Sequence, residues 1–196
     1  MSRLQDKDTR QQLIEAALDI LLRDGIQGFS QSKVARQAGL RQSHLTYYFP
    51  TRNDLLKVVV EHGCQLVINS LAPGAAPDER SLEEFRLGMC DKVCDSGIAR
   101  MMVAITVAAE EDPSLKSWIS DFDRRMFDNK TQTFKRLGIE ASEQDMALFH
   151  ATVAGIAIRN LNSNTDEERM AARRNFLHAF DRLLRDAGLK SKSEKS

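Results

Sequence analysis

The chain has 196 residues, and its 28 Lys and Arg balance its 28 Asp and Glu, so the net charge at pH 7 is zero. This length suits one or two small domains with a buried core and excludes collagen-like and wholly disordered chains. Three cysteines are too few for a disulfide framework, which favours a reducing compartment. The longest apolar run, Met101–Ala109, is far shorter than the roughly 20 residues of a membrane span, and the N-terminal residues lack an apolar signal segment. We therefore expect a cytoplasmic protein that does not contact a membrane.

Helix start and stop signals recur along the chain. A Ser or Thr followed three residues later by an acid or amide is a possible capping box, and this pattern occurs at Thr9/Gln12, Thr51/Asp54, Ser81/Glu84, Ser142/Asp145 and Thr165/Glu168. Glycines that favour a helix end lie just past periodic segments, at Gly25, Gly39, Gly97, Gly138 and Gly188. The pattern predicts an all-α chain of about nine helices without strands, over 9–24, 31–38, 42–48, 52–71, 81–96, 98–111, 113–137, 142–160 and 166–187. Residues 72–80, which hold two prolines and a glycine, are the predicted linker.

Two short helical patterns between Gln31 and Phe49 are separated only by Ala38-Gly39-Leu40, which predicts a helix-turn-helix. A small residue, Ala35, is available where the two helices touch, and apolar anchors follow on both helices, at Val34, Ala38, Leu40, Leu45 and Tyr48. The preceding helix supplies a third apolar face through Leu13, Ala16, Ala17, Ile20 and Leu21. Three such helices make a minimal DNA-binding domain.

Charge is distributed unevenly along the chain. Residues 31–57 carry five basic side chains against one acidic side chain, a local net charge of +4, although residues 1–64 as a whole carry nine basic and seven acidic groups. Contact with DNA phosphates is the natural use of such a local excess. The zero total thus leaves one small face for DNA. A helical hairpin with a solvated basic face is the alternative interpretation of this stretch.

Residues 9–56 resemble the tetracycline-repressor (TetR) family of bacterial transcriptional regulators. The resemblance rests on order and spacing, over Ala16-Ala17, Gly25 and Gly28, Val34–Leu40, Tyr47-Tyr48-Phe49 and Arg52. It implies an Ω-shaped homodimer with N-terminal DNA-binding domains and C-terminal domains that bind an effector and dimerise. We accordingly expect a DNA-binding domain over residues 1–51, an effector-binding and dimerisation domain over 52–188, and a flexible tail over 189–196.

The second helix of the motif is the expected recognition helix, which reads base edges with residues near its N-terminal end. We assign base reading to Gln42, Ser43 and His44, and either guanine or phosphate contact to Arg41. Backbone positioning is assigned to Lys33, Thr46, Tyr47 and Arg52, with Ser30 as an N-cap and phosphate donor, whereas Tyr48 and Phe49 are expected in the core. A two-fold dimer predicts a palindromic double-stranded DNA operator.

The helices over 98–111 and 113–137 are apolar over wide arcs, as expected around a cavity or a large core. Apolar residues on consistent faces are the candidate effector contacts, namely Met89, Val93, Met102, Ile105, Trp118, Phe122 and Met126. Such a lining favours a small apolar or aromatic effector, with Arg100 or Asp121 as polar partners. Ordinary core packing is the alternative role of the same residues.

The segment 142–160 is apolar on two faces, which is more than one intramolecular contact requires, and 166–187 carries one apolar stripe. Two such helices from each protomer would form a four-helix dimer interface. The predicted interface residues are Phe149, Val153, Ile156, Phe176, Phe180 and Leu183, with burial inside a monomer as the alternative.

Enzyme chemistry has no support in the sequence, and no cofactor or metal is expected, because the four histidines show no ligand spacing with one another or with the cysteines. A Cys90–Cys94 disulfide is disfavoured, since helical neighbours four apart have Cβ atoms about 5–6 Å apart and a disulfide needs roughly 3.8 Å. The predicted function is a homodimeric, ligand-responsive transcriptional regulator, a repressor. The alternative is a protein-interaction or ligand-binding module that has lost DNA binding. Three departures from the family pattern support this alternative. The chain has Arg41 where the family commonly has Ser or Thr, Ser43 where it has Gly, and Thr46 where it has Tyr.

Overall fold

A computed structural model describes residues 3–70 and 79–189. Within these ranges the chain forms nine α-helices and no strand. The helices are α1 (Arg3–Gly28), α2 (Gln31–Gln37), α3 (Gln42–Tyr48), α4 (Arg52–Ser70), α5 (Glu79–Cys94), α6 (Ser96–Glu111), α7 (Ser114–Arg136), α8 (Glu143–Asn160) and α9 (Asp166–Asp186). The predicted all-α fold, with an N-terminal helix-turn-helix followed by further helices, is confirmed.

Two of the predicted capping boxes are confirmed, and a third predicted cap, Ser142, forms one of the two bonds. At the start of α4, the Asp54 amide donates to Thr51 Oγ1 at 3.0 Å while the Thr51 amide donates to Asp54 Oδ2 at 3.1 Å. Thr165 and Glu168 form the same reciprocal pair at the start of α9, and the Ser142 hydroxyl accepts from the Asp145 amide at 3.1 Å. These bonds satisfy amide donors that have no partner inside a helix.

Two other predicted boxes are wrong, because the helices begin earlier than expected. Thr9 lies within α1, which starts at Arg3, and Ser81 lies within α5, which starts at Glu79. Residues 79 and 80 of the expected linker are therefore helical, while 72–78 and the tail residues 190–196 lie outside the described part of the chain.

Four of the five predicted helix-ending glycines have positive φ, namely Gly25, Gly39, Gly138 and Gly188. Gly25, at φ 65°, divides α1, and helical structure resumes as far as Gly28. Gly97 was expected to end a helix but lies in the first turn of α6, where its amide donates to Asp95 Oδ1 at 3.1 Å. An aspartate before the helix binds a free first-turn amide there, so no left-handed residue is needed.

The chain divides into two compact units, one of residues 1–67 with 100–119 and one of 68–99 with 120–196. These units are defined by how the chain packs on itself. The expected boundary between a DNA-binding and an effector-binding domain at residue 51 stays a prediction. In the first unit, the face predicted for α1 packs against the helix-turn-helix, with Leu13, Ala17, Ile20 and Leu21 buried.

Gly63 of α4 lies so close to Met101 and Leu18 that a Cβ there would clash with the Met101 sulfur. This close packing explains the helical glycine.

An aromatic cluster forms the core of the second unit. Five phenylalanines from α5, α7, α8 and α9 pack with ring centroids 5.5 to 6.3 Å apart, at Phe85, Phe134, Phe149, Phe176 and Phe180. Beside the cluster, Arg86 of α5 makes a two-point contact with Asp181 of α9, at 2.8 and 3.0 Å. Both side chains of this ion pair are almost buried, at 12% and 13% exposure.

This core contains the residues predicted for the dimer interface. The structure buries Phe149, Val153, Phe176, Phe180 and Leu183 within a single chain and packs Ile156 against the same cluster. These side chains thus pack inside the protomer, with Ile156 only partly buried, and their role in a dimer stays a prediction. The amphipathic pattern correctly indicated a buried face, but the surface it packs against belongs to the same molecule.

Among the described residues, no helix is both long and apolar enough to span a membrane.

Candidate nucleic-acid interface

The turn between α2 and α3 is fixed by backbone hydrogen bonds around Gly39. The Leu40 amide donates to the Ala35 carbonyl at 2.9 Å, and the Gly39 amide donates to the Arg36 carbonyl at 3.1 Å. This is the Schellman arrangement, which requires a left-handed residue after the helix. Gly39 has φ +67° and supplies it. The turn therefore sets the direction in which α3 leaves α2.

Two glutamine side chains tie the three helices together. Gln12 of α1 donates to the carbonyl of Ala38 in the turn at 2.9 Å, and Gln31 of α2 donates to the carbonyl of Phe49 at 2.8 Å. Neither contact could be predicted from the sequence, because a lone glutamine on a helix gives no periodic signal. Together they tie the end of α2 to α1 and the end of α3 to α2.

Apolar packing under the motif largely follows the prediction. Val34, Ala38, Leu45 and Phe49 are buried. Tyr48 and Leu40 are only half-buried. The recognition helix is therefore anchored mainly by Leu45 and Phe49.

The first turn of α3 is open to solvent. Arg41 precedes the helix as its N-cap without a side-chain capping bond, and the side chains of Arg41, Gln42, Ser43 and His44 are exposed. Tyr47, one turn further, is 76% exposed and meets the ring of Tyr48 edge-on at 5.0 Å. The residues expected to read bases are thus brought to one end of a fixed helix.

The flanking candidates differ from one another in their surroundings. Lys33 is exposed, and Ser30 is the N-cap of α2, with its hydroxyl accepting from the Lys33 amide at 3.4 Å. The Thr46 hydroxyl donates back to the carbonyls of Gln42 and Ser43, both at 3.2 Å. Thr46 is therefore engaged with its own helix.

Arg52 has an internal role that the sequence analysis did not predict. Its Nε donates to the Phe29 carbonyl and a terminal nitrogen donates to the Ile26 carbonyl, each at 3.0 Å. The guanidinium also lies over the Phe29 ring, 5.8 Å from its centroid. Arg52 thereby fastens the start of α4 to the last turn of α1 and to Phe29 just after it. Its phosphate contact stays a prediction.

Arg10 is a candidate that the sequence analysis missed. Its guanidinium lies 5.3 Å from the centroid of the Phe49 ring, and the side chain is exposed. This cation–π contact places a positive charge beside the end of α3. The distance between the two residues along the chain concealed the contact.

The predicted effector residues fall in both compact units. Met102, Ile105 and Trp118 belong to the first unit, and Ile105 is buried. In the second unit, Met89, Val93 and Phe122 are buried and Met126 is half-buried. Of the expected polar partners, Arg100 is half-buried, and Asp121 is exposed and paired with Arg124 at 2.7 Å. Their role toward an effector stays a prediction.

Among the residues that the structure describes, no group of three or more His, Cys, Asp or Glu is placed to hold an ion.

A helix pair joined by a fixed turn, a third supporting helix and an exposed recognition-helix end define a helix-turn-helix DNA-binding protein. Residues 13–59 match the family model described as bacterial regulatory proteins, tetR family. Residues 13–59 are therefore a DNA-binding domain of the tetR family of bacterial regulatory proteins.

Curated relatives extend this similarity along the chain. The transcriptional regulator BetI of Yersinia pestis (strain Pestoides F) is 27% identical over 133 residues, covering 65% of this chain and 67% of that protein. The regulator CymR of Pseudomonas putida is 25% identical over 177 residues, 86% of each chain.

Solved structures share the fold at lower identity. A TetR-family regulator from Mesorhizobium loti superposes with a TM-score of 0.71 at 16% identity, covering 94% of this chain and 98% of that one. A regulator from Saccharomonospora viridis, in complex with choline, has a TM-score of 0.68 at 14% identity, covering 90% and 96%. The multidrug binding protein EbrR, in complex with proflavin, has a TM-score of 0.58 at 19% identity, covering 87% and 99%.

Proposed function

We propose that the protein is a homodimeric repressor that binds a palindromic operator and is released from it by a small apolar or aromatic effector. The observation that carries this proposal is the exposed first turn of α3, from Arg41 to His44, on a motif whose turn and ends are fixed by hydrogen bonds. A rigid helix with free polar side chains at its N-terminal end is what major-groove reading requires. Because the proposed operator is bacterial DNA, the protein acts in the cytoplasm.

Base reading and phosphate contact fall to different side chains. Gln42 pairs with adenine through both groups of its amide, and Arg41 contacts guanine or phosphate. Ser43 and His44 complete the reading face. Phosphate contacts come from residues around it, namely Lys33, Tyr47, Ser30 and the newly placed Arg10, all of which are exposed except the half-buried Ser30. The two half-sites then lie about 34–36 Å apart, or a multiple of that distance.

The outer face of α8 is the proposed dimer contact. It carries a stripe of exposed apolar and small residues, Ala147, Leu148, Ala151, Ala154, Gly155 and Ile158. Leu148 is 55% exposed and Ile158 48% exposed, and a Cβ added at Gly155 would meet nothing within 4 Å. Small residues allow two helices to approach closely, and a stripe on a two-fold axis is self-complementary. The occupant of this face is a second copy of the chain.

The effector is proposed to bind among the C-terminal helices. EbrR is described with proflavin and the S. viridis regulator with choline, so proteins of this fold do accept small molecules. Adaptable methionines accompany aromatic residues in the candidate set, namely Met89, Val93, Met102, Ile105, Trp118, Phe122 and Met126.

A hydrogen bond provides a route from these helices toward the DNA-binding motif. Asn53 at the start of α4 donates to Asp112, just after α6, at 2.8 Å. The Ser114 hydroxyl, the Asn53 amide and the Ser114 backbone amide hold the pKa of Asp112 below its ordinary value. Asn53 is adjacent to Arg52, which is fastened to the segment before α2. A shift of the end of α6 is thus passed to α4 and to the position of the recognition helix.

A mobility-shift assay with the DNA upstream of the protein's own gene, followed by footprinting, tests the proposal. We expect a retarded complex, a footprint with two-fold symmetry and one dimer per site. Failure of the folded protein to retard any fragment of that region would overturn the proposal and favour an interaction module without DNA binding. Proflavin serves as an aromatic probe in a second arm, and release of the DNA supports the proposed effector class.

A further inference from the structure

The far end of the recognition helix is not closed by its own backbone. Phe49, the C-cap of α3, has φ −134° and ψ 86°, so it does not take the left-handed conformation on which a Schellman turn depends. Pro50 follows it and has no amide to donate. The next amide, that of Thr51, donates to Asp54 Oδ2 in the capping box of α4 at 3.1 Å. The chain after Phe49 thus supplies no closing amide for α3.

A side chain from the first helix of the motif takes that place. Gln31 donates from Nε2 to the Phe49 carbonyl at 2.8 Å, although the two residues are 18 positions apart in the chain. Gln31 is half-buried and is the first residue of α2. Phe49 is 2% exposed, and its ring lies under the guanidinium of Arg10 from α1. Both supporting helices therefore meet the recognition helix at this one residue.

Two points then fix the axis of α3. The near end leaves the turn at Gly39, which backbone hydrogen bonds hold in place, and Gln31 holds the far end. Leu45 and Phe49 also anchor the helix by apolar packing, but such packing is not directional. A hydrogen bond is directional, because it weakens steeply as its angle departs from a straight line. The angle of α3 therefore depends on the amide of Gln31.

The helix is short, so a small shift at its far end is a large change of angle. Its seven residues span about 10 Å, so a shift of about 2 Å at Phe49 tilts the axis by about 11°. A reading side chain that extends about 6 Å from the axis then moves its tip by about 1 Å. Two parallel hydrogen bonds to one base, as proposed for Gln42, tolerate little of this movement. Phosphate contacts tolerate more, because Lys and Arg have long, flexible stems.

We propose that Gln31 is a positioning residue for sequence recognition, which holds α3 at the angle at which its first turn reads bases and does not itself contact DNA. The inference rests on the proposed reading of the operator by α3. Phosphate contacts supply most of the affinity for DNA of any sequence. Loss of the Gln31 amide should therefore lower the affinity for the operator and leave the affinity for unrelated DNA as it is.

Fluorescence-anisotropy titrations of the full-length protein with two duplexes test this inference. One is the upstream duplex that the protein retards, and the other is a shuffled duplex of the same composition. Gln31→Met keeps the length of the side chain and removes the donor. We expect the ratio of the two affinities to fall by about tenfold or more, the size of one well-aligned base contact, with unchanged affinity for the shuffled duplex. Gln31→Lys keeps a donor of similar reach and should keep the ratio, since its added charge acts on both duplexes alike.

Gln37→Met is the matched control. Gln37 also lies on α2, and its amide donates to Asp19 Oδ2 at 2.6 Å and to the Ala16 carbonyl at 3.4 Å, both on α1. The variant thus removes a tie between α2 and α1 and leaves the bond to Phe49 in place, so the affinity ratio should not change. Circular dichroism at the temperature of the titrations confirms that each variant is folded.

An unchanged ratio in folded Gln31→Met would overturn the inference. An equal fall for both duplexes would also overturn it, because Gln31 would then be a phosphate contact or a general support of the fold. The same loss of ratio in Gln37→Met or in Gln31→Lys would exclude the hydrogen bond to Phe49 as the cause. If the wild type itself binds both duplexes equally, the proposed reading of an operator fails and this inference fails with it, so the two failures are distinguishable.

Discussion

Arg52 and Phe29 are joined twice: the guanidinium donates from Nε to the Phe29 carbonyl at 3.0 Å and also lies over the Phe29 ring. A charged hydrogen bond and a cation–π contact thus converge on the short segment before the helix-turn-helix. The same guanidinium binds the Ile26 carbonyl. This one side chain therefore couples the start of α4 to the beginning of the DNA-binding motif.

Arg52→Ala should lower the free energy of unfolding by about 1–3 kcal/mol, because it removes charged hydrogen bonds to two carbonyls. Urea denaturation followed by circular dichroism measures this. Arg41→Ala is the matched control, since Arg41 is exposed and makes no capping bond. It should weaken DNA binding and leave stability unchanged. Equal stability of the two variants would show that the Arg52 contacts contribute nothing to folding.

Gly39→Ala should destabilise the protein by about 1–2 kcal/mol, the cost of a left-handed conformation for a residue with a Cβ. A Cβ at this position would meet nothing within 4 Å, so the cost is conformational and not steric. Gly39→Asn is the control, because asparagine tolerates positive φ better than alanine. Thermal unfolding of both variants checks the order: the account predicts that asparagine is the milder substitution, and the reverse order would contradict it.

His150 should make the protein less stable in mild acid. Burial lowers its pKa, and the charge of Lys130, whose Nζ lies 2.6 Å from Nδ1, lowers it further, while Asp123 opposes the shift. The unfolded chain therefore takes up a proton first as pH falls below about 6.5. The contribution of neutral His150 to stability is fully present above that pH, and it is lost as the pH drops through the lower pKa of His150 in the folded protein. Denaturation curves recorded from pH 7 to pH 5 give the free energy of unfolding at each pH. This free energy should fall less with pH in His150→Gln than in the wild type. An unchanged pH dependence would exclude this role.

Ile158→Glu should convert the proposed dimer to a monomer. The substitution places a charge in the exposed stripe of α8, where Ile158 is 48% exposed, so the fold of the protomer is retained. Sedimentation equilibrium gives the mass directly. Lys135→Glu inserts the same charge at an exposed position of α7 and should leave the dimer intact. A dimeric Ile158→Glu protein would place the interface elsewhere.

Local signals predicted the helices well where the cap is a matter of adjacent residues. Ser142 and Thr165 both cap helices as expected, since their partners are three residues away. Thr9 and Ser81 carry the same pattern inside longer helices. A capping-box pattern indicates that a helix can begin at that residue, but it does not prevent the helix from beginning earlier.

The sequence also located the exposed turn of the recognition helix, but it did not separate DNA contacts from internal ones. Arg52 was assigned to phosphate by its charge, although its carbonyl partners lie 23 and 26 residues away. Likewise, Phe149 and Phe180 were assigned to a dimer by their apolar pattern, and they meet each other in one protomer with centroids 5.7 Å apart. An apolar face does not specify whether its partner belongs to the same chain.

The central claim is that the first turn of α3 reads the operator, and a fluorescence-anisotropy titration of the upstream duplex, repeated over a series of salt concentrations, tests it most directly. Gln42→Ala should weaken binding by about 1–3 kcal/mol, the value of a bidentate base contact. Tyr47→Ala should weaken it as well, and affinity should fall steeply with salt. Unchanged affinity in both variants, or a binding curve insensitive to salt, would contradict the account.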